Sequence, residues 1–366
     1  RFHRAAALAA GAAVRTALQR HGVRGSAGGL LRLEAVLDVA EMKALLHAQG
    51  MPADYVEALD ADAAGRLAGV PIGSPAWHYP TAGWVDPRGL SRSWLADAEA
   101  RSELRLNCAV ESLRRGADNW EICDPSGALI AAAPVVVLCN GDGRLAPSGA
   151  PPWPIGRQRG QLSAIAASSL PADALPRLPI AGAGYVLPVI DDLVWFGASS
   201  TWNDDEPALR AEDQQRNLDR LTALLGLPSS PSVEQLGGRA SFRWTSDDRL
   251  PIVGAVPASI AESAIGGFFG ARSTRFDQPR FIARAPGLFV CAALGSRGIA
   301  SAALGAQLLA AAITGAPVPA EADLLDALDP ARFLSRRFRR DEAARGLAPA
   351  GQGQPPVGPI AGSAGT

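Results

Sequence analysis

The sequence predicts an α/β protein, and three segments carry that class. Val135 to Cys139 is a β-branched run that reads as a buried strand. Leu288 to Leu294 reads as a strand, Gly295-Ser-Arg-Gly298 as a tight turn, and Ile299 to Ile313 as a buried helix closed by Gly315 and Pro317. Tyr185 to Val189 and Val194 to Ala198 flank Asp191-Asp192 as the arms of a hairpin, which adds antiparallel pairing. At 366 residues the chain exceeds one ordinary core. That length predicts two domains, or one large α/β domain with an insertion.

The remaining elements follow in order. Arg1 to Gln19 has a helical composition. Asp38-Val-Ala-Glu41 is a capping box that opens a helix ending before Gly50. Gly83 to Pro87 reads as a turn and Leu90 to Ala100 as a helix. Ala211 to Leu225 carries Leu218, Leu221 and Leu225 at helical spacing, and Gly226 and Pro228 stop it. From Leu347 onward Gly, Pro, Ala and Gln dominate, which predicts a disordered tail.

Composition narrows the function. A net charge of −1 excludes a chain that is basic throughout, although a local patch is enough to hold phosphates. Cys108, Cys123, Cys139 and Cys291 form no CxxC pair, so neither a zinc site nor a disulfide framework is signalled, and a reducing cytoplasm suits them. His3, His21, His47 and His78 all lie far from the strongest motifs, which argues against a metal cluster or a Ser-His-Asp triad. The sequence shows no uninterrupted apolar run long enough to span a bilayer.

Four constellations remain. A helix that begins at Gly295–Gly298 offers free N–H groups and the positive end of its dipole, suited to a phosphate, a carboxylate or an electron-rich ring; a plain buried turn is the bland alternative. Gly141-Asp-Gly143-Arg-Leu-Ala146 fits a relaxed dinucleotide pattern. Pro147, Gly149, Pro151 and Pro152 forbid the helix that pattern needs, and no other GxGxxG exists. Arg243 and Arg297 sit in ordered motifs and could clamp a carboxylate, although a lone Arg is usually a surface charge. Arg332, Arg336, Arg337, Arg339 and Arg340 form a basic run beside Phe333 and Phe338, equally readable as RNA-facing or as a solvated tail.

Several segments in order resemble the D-amino-acid oxidase superfamily, which includes glycine and sarcosine oxidases. They are Gly83-Trp-Val-Asp-Pro87 followed by a helix and Leu104 to Val110, then Val135-Val-Val-Leu-Cys-Asn-Gly141, then Arg159-Gly-Gln161. Ser241-Phe-Arg243 through Asp248-Arg-Leu-Pro-Ile-Val-Gly254, and Gly287 through Ala306, complete the set. Ala292-Ala-Leu-Gly-Ser-Arg-Gly298 and Leu328-Asp-Pro-Ala-Arg-Phe333 narrow the likeness to the oxidoreductase halves of bifunctional tRNA wobble-uridine modification proteins. The resemblance runs from about Arg1 to Arg340. It implies a glutathione-reductase-like FAD-binding domain over residues 1–22, 82–160 and 286–340. That domain would lack its first βαβ segment, because the chain resembles the family from just after its GxGxxG strand. It would interleave with an α+β substrate domain, mostly antiparallel, over 23–81 and 161–285, with a disordered tail over 341–366.

The resemblance also implies chemistry. FAD would oxidise the carboxymethylaminomethyl group of the wobble uridine, an N-substituted glycine, and hydrolysis of the imine would leave aminomethyl-uridine and glyoxylate. Arg243 and Arg297 would hold the glycyl carboxylate, and Val110, Asn140, Gly141, Gly295, Ser296, Gly298 and Ile299 would contact FAD. The partner would be tRNA, with a methyltransferase domain or protein supplied upstream, and no metal. Two other readings stay open: an oxidase of free glycine, sarcosine or D-amino acids, and a non-catalytic remnant.

Overall fold

The longest ladder in the molecule joins Ile155–Ala166 to Gly237–Ser246, antiparallel from Ile155↔Ser246 to Ala164↔Gly237. The computed structural model describes residues 1–145, 152–265, 273 and 275–346. This ladder is one end of a nine-stranded sheet, in which Thr201–Trp202 also pairs with Ile155–Ala166 and which continues through Leu193–Gly197, Tyr185–Ile190, Ile180–Ala181, Leu30–Leu33, Ala76–Tyr79 and Glu57–Leu59. All its ladders are antiparallel except that between Ile180–Ala181 and Leu30–Leu33. Asp191 and Asp192 carry φ of 51° and 60° in the expected hairpin, the left-handed pair that lets a two-residue turn match strand twist.

One face of this sheet is buried by the helix Ala211–Leu225. Leu218, Leu221 and Leu225 pack there with Phe196, Val194 and Ile165, and each such side chain contributes about 1.5–3 kcal/mol by leaving water. Gly226 at φ 61° ends the helix in a left-handed cap.

A second sheet pairs Arg284–Ala292 antiparallel with Ile252–Pro257 and parallel with Val136–Leu138. The helix Gly298–Thr314 lies on it and packs against Phe2–His21 through Leu304, Leu308, Phe2 and Ala6. Gly295–Thr314 has the length and composition to cross a bilayer, yet part of its surface is buried within the protein. A meander of Ser112–Arg115, Trp120–Cys123 and Leu129–Ala133 completes the sheets.

Some expectations change. Val135–Cys139 is not a fully buried strand: Val136–Leu138 forms the edge of its sheet, and Val135 and Val137 are exposed while Val136 is buried. Gly83–Pro87 is more than a turn. Trp84–Val85 pairs with Gly25–Ser26, and Asp86 caps a helix over Pro87–Ala98 that has Pro at its first position. The Leu288 strand starts earlier, at Arg284, and ends at Ala292, because Ala293 turns to φ 54°. Leu104 to Val110 runs without a ladder partner among the described residues, with Leu104, Leu106 and Val110 exposed. The last helix, Arg332–Gly346, continues past 340, supported by an Arg337–Asp341 pair at 4.0 Å; the rest of the expected tail, 347–366, lies outside the described residues.

The basic run is not uniformly solvated either. Arg332 is buried, and its guanidinium donates to both carboxylate oxygens of Asp248 at 2.8 and 2.9 Å and to the carbonyls of Leu328 and Leu250. Arg336 joins the same carboxylate. Burial works against the Asp248 charge, but the hydrogen bonds and charge of Arg332, then Arg336 and Ser246, outweigh it and hold the carboxyl below its usual range. A depressed folded value means that the contribution is full above the unfolded value near about 4 and fades as pH falls below it. Asp248→Asn is therefore expected to cost roughly 3 kcal/mol at neutral pH, with the gap to wild type closing below about pH 4. Denaturant unfolding at pH 7 and pH 3 checks this; a gap that did not shrink in acid would rule out the charge as its source.

Candidate active site

Alternation along the Ile155–Ala166 and Gly237–Ser246 strands gives the ladder two unlike faces. The back face carries Arg159, Gln161 and Ser163, all buried against Ala211–Leu225. Arg159 pairs with Asp213 at 2.7 Å, and Asn217 donates to the Gln161 carbonyl at 2.9 Å. The front face carries Gln158, Gly160, Arg243 and Thr245, since Gln158 lies opposite Arg243 and Gly160 opposite Ser241. Register continues this face to Leu162, Trp195 and Tyr185. Arg239 lies over the Trp195 ring at 5.9 Å.

Gly160 permits the position of Arg243. A Cβ there would come within 3.0 Å of the Arg243 Nη1, so the guanidinium lies flat across the bare backbone. Burial pushes the Tyr185 phenol above its ordinary range, against the opposing pull of Arg243 and Arg239. Tyr185 thus stays a hydroxyl donor at neutral pH.

The glycine turn meets this face at one end. Thr245 bridges Leu294, and Gly295, at φ 59°, brings its backbone so close that an added Cβ would lie 3.3 Å from Thr245 Oγ1. After a short 3-10 turn over Gly295–Arg297 the long helix begins, with no side-chain cap at Arg297. Its first N–H groups therefore remain open donors. Thr245 Oγ1 is buried and has no hydrogen-bond partner among the described residues. A cavity of about 270 Å³ opens here, lined by Gln158, Trp202 and Thr245 from the main sheet and by Leu294 to Arg297 from the turn. His3, Arg249 and Pro251 also line it. Burial and then the Arg297 charge hold the His3 imidazolium below its ordinary range, so the ring is neutral near pH 7.

The family described as FAD dependent oxidoreductase matches residues 2–312. The chain belongs to that family. It is also 42% identical, over 348 residues, to the tRNA 5-methylaminomethyl-2-thiouridine biosynthesis bifunctional protein of Methylibium petroleiphilum, which covers 92% of this chain and 52% of that protein. The protein of the same description from Burkholderia orbicola is 38% identical over 328 residues, covering 88% of this chain and 50% of its own length. The chain thus spans about half the length of these relatives. Glycine oxidase from Geobacillus kaustophilus superposes with a TM-score of 0.65 at 19% identity, over 88% of this chain and 81% of that one. Iminodiacetate oxidase from Chelativorans sp. BNC1 gives 0.63 at 22% identity, over 88% and 82%. These two likenesses show the fold.

By its family the chain is an FAD-dependent oxidoreductase, with FAD as its cofactor. The residues present fit the flavin ring: an uncapped helix start, a glycine that admits close approach, and the unpartnered hydroxyl of Thr245 converge on one cavity. Gly295, Ser296 and Arg297 line that cavity. Gly298 and Ile299 open the helix behind it. Gly141 stands beside the same turn, its carbonyl accepting from Ala293 N at 2.8 Å. Asn140 is exposed and donates to the Arg144 carbonyl at 2.8 Å. Val110 is exposed and is not among the cavity-lining residues.

Arg243 is placed on the face that borders the cavity, opposite Gln158 and two residues from Thr245, rather than in its wall. Sequence reasoning missed Gln158, Thr245, Tyr185 and His3 as neighbours of the site. No local motif marks them, because the register of the ladder and the packing of the first helix place them. The Gly141–Ala146 pattern leads into no helix within residues 141–145, and 146–151 lie outside the described residues. Among the described residues no cluster of His, Cys, Asp or Glu is placed to hold a metal ion.

Proposed function

We propose that this chain is the oxidoreductase part of a cytoplasmic tRNA modification enzyme that removes the carboxymethyl group from carboxymethylaminomethyl-(2-thio)uridine at the wobble position. The 42% identity over 92% of the chain to a tRNA 5-methylaminomethyl-2-thiouridine biosynthesis protein carries the reading. The arginine-bearing sheet face beside the glycine turn supports it, since an N-substituted glycine offers a carboxylate for those guanidinium groups. Bound FAD supplies a two-electron acceptor for the glycyl C–N bond. The carboxylate is held by Arg243 and Arg297, and the Tyr185 hydroxyl stands near Arg243 as a further donor. Gln158, Thr245 and Leu294 wall the reacting carbon away from bulk water, and the open N–H groups of the helix that starts at Gly298 favour negative charge opposite it. The C–N bond becomes an imine, water adds to it, and aminomethyl-uridine and glyoxylate separate.

The test offers the flavin-loaded protein two substrates, tRNA bearing carboxymethylaminomethyl-uridine and free glycine. Glyoxylate release and nucleoside mass spectrometry are expected to show turnover of the tRNA far above that of glycine. Faster release from free glycine would reassign the chain to the free amino acid oxidases, and conversion of neither would favour the non-catalytic reading.

A further inference from the structure

A second and larger cavity, of about 830 Å³, lies between the helix Arg332–Gly346 and the turn that joins the strands Gly237–Ser246 and Ile252–Pro257. Arg337 and Arg340 border it one helical turn apart, and Arg339 lines it beside them. The acid at its base, Asp248, is already neutralised by Arg332 and Arg336. Asp247 also lines the groove, but three arginines outnumber it. The Arg337 side chain is 77% exposed, and its one ion pair among the described residues, with Asp341, is at 4.0 Å. Arg340 is exposed and has no ion pair among the described residues. The groove is therefore cationic and open, although the whole chain carries a net charge of −1.

Its position ties it to the active cavity. The same short turn sends Asp247 and Asp248 into the groove and Arg249 and Pro251 into the wall of the smaller cavity. The two cavities are neighbours across about three residues of backbone.

We propose that this groove docks the sugar–phosphate backbone of the substrate RNA, with Arg337, Arg339 and Arg340 holding phosphates next to the nucleotide that enters the active cavity. The inference rests on the tRNA reading above and adds the surface that receives the RNA. Charge complementarity selects the partner: guanidinium groups spaced along one helix face suit successive phosphates. A concave groove that adjoins the smaller cavity across the 247–251 turn suits a strand rather than a flat bilayer surface.

The test measures binding of unmodified tRNA to the flavin-loaded chain across a salt series, for wild type, Arg337→Gln/Arg340→Gln and a control, Arg88→Gln/Arg92→Gln. The control removes the same charge from exposed positions on the helix Pro87–Ala98. The groove variant is expected to bind at least about tenfold more weakly near 0.1 M salt. Its log–log salt slope should be shallower by about 1.4–1.8, the loss of two phosphate contacts. The control should keep the wild-type slope, and all three proteins should share one unfolding midpoint. Equal binding by wild type and groove variant, or equal losses in both variants, would overturn the docking surface and leave the tRNA reading standing. A wild-type chain that binds no tRNA, or binds anionic vesicles in preference, would overturn that reading and the groove with it.

Discussion

Arg243→Ala is expected to lower kcat/KM for the glycyl amine by about a hundredfold or more while the flavin absorbance stays unchanged. The reasoning begins with the ladder. Arg243 projects from the front face, and Gly160 leaves room for its guanidinium to lie across the neighbouring strand. A planar fork in that setting can donate two parallel N–H bonds to a carboxylate, and losing such a charge-assisted pair costs about 3 kcal/mol or more. At about 1.4 kcal/mol per decade this is roughly two orders of magnitude. Arg243→Lys keeps the charge and loses the fork, so it should recover only part of the rate. Gly160→Ala makes an independent arm. Its Cβ would displace the tip of a flexible side chain, so stability should change little while KM rises. Steady-state kinetics with the flavin spectrum recorded in parallel decide the matter. If Arg243→Ala turned over as fast as wild type, the carboxylate would be held elsewhere.

How far the sequence reveals this protein depends on whether a signal is local. The Asp38 capping box, the Asp191-Asp192 hairpin and the helix with Leu218, Leu221 and Leu225 all formed as read, because caps, turns and apolar spacing act over a few residues. The Ile155–Ala166 strand gave no alternation to read. Arg157, Gln158, Arg159 and Gln161 are polar on both faces, and Arg159 and Gln161 are buried only because a distant helix supplies their partners. The basic run failed as a unit for the same reason: Arg332 is a buried clamp residue, whereas Arg337 and Arg340 face solvent, and nothing in a row of arginines separates them. In the candidate site, the family resemblance singles out Arg243 and Arg297, of which the structure puts Arg297 in the cavity wall and Arg243 on the bordering sheet face. Thr245 and Gln158 were not legible, since their place beside the glycine turn is a consequence of sheet register.

The buried pair behind the active face sets the second large expectation. Asp213→Ala should destabilise the protein by about 3–5 kcal/mol. The Arg159 side chain has 0% exposure and Asp213 has 4%. Besides Asp213, the guanidinium donates to the carbonyls of Glu206 and Ala208 and to Gln161 Oε1, at 2.6, 2.5 and 2.9 Å. Those groups satisfy its N–H donors but none carries the opposite charge. Removing the carboxylate therefore strands a cation in a dry interface, and the penalty exceeds the worth of the pair itself. Two companions isolate the cause. Arg159→Met/Asp213→Leu removes both charges and should lose less stability than Asp213→Ala alone. Asp219→Ala, on the exposed side of the same helix, should stay within about 0.5 kcal/mol of wild type. Denaturant unfolding of all four proteins at neutral pH gives the comparison. A double variant weaker than the single would mean that the cluster acts through shape and hydrogen bonding rather than through a stranded charge. The Gly160 and Arg243 face would then depend on the packing of Arg159 itself.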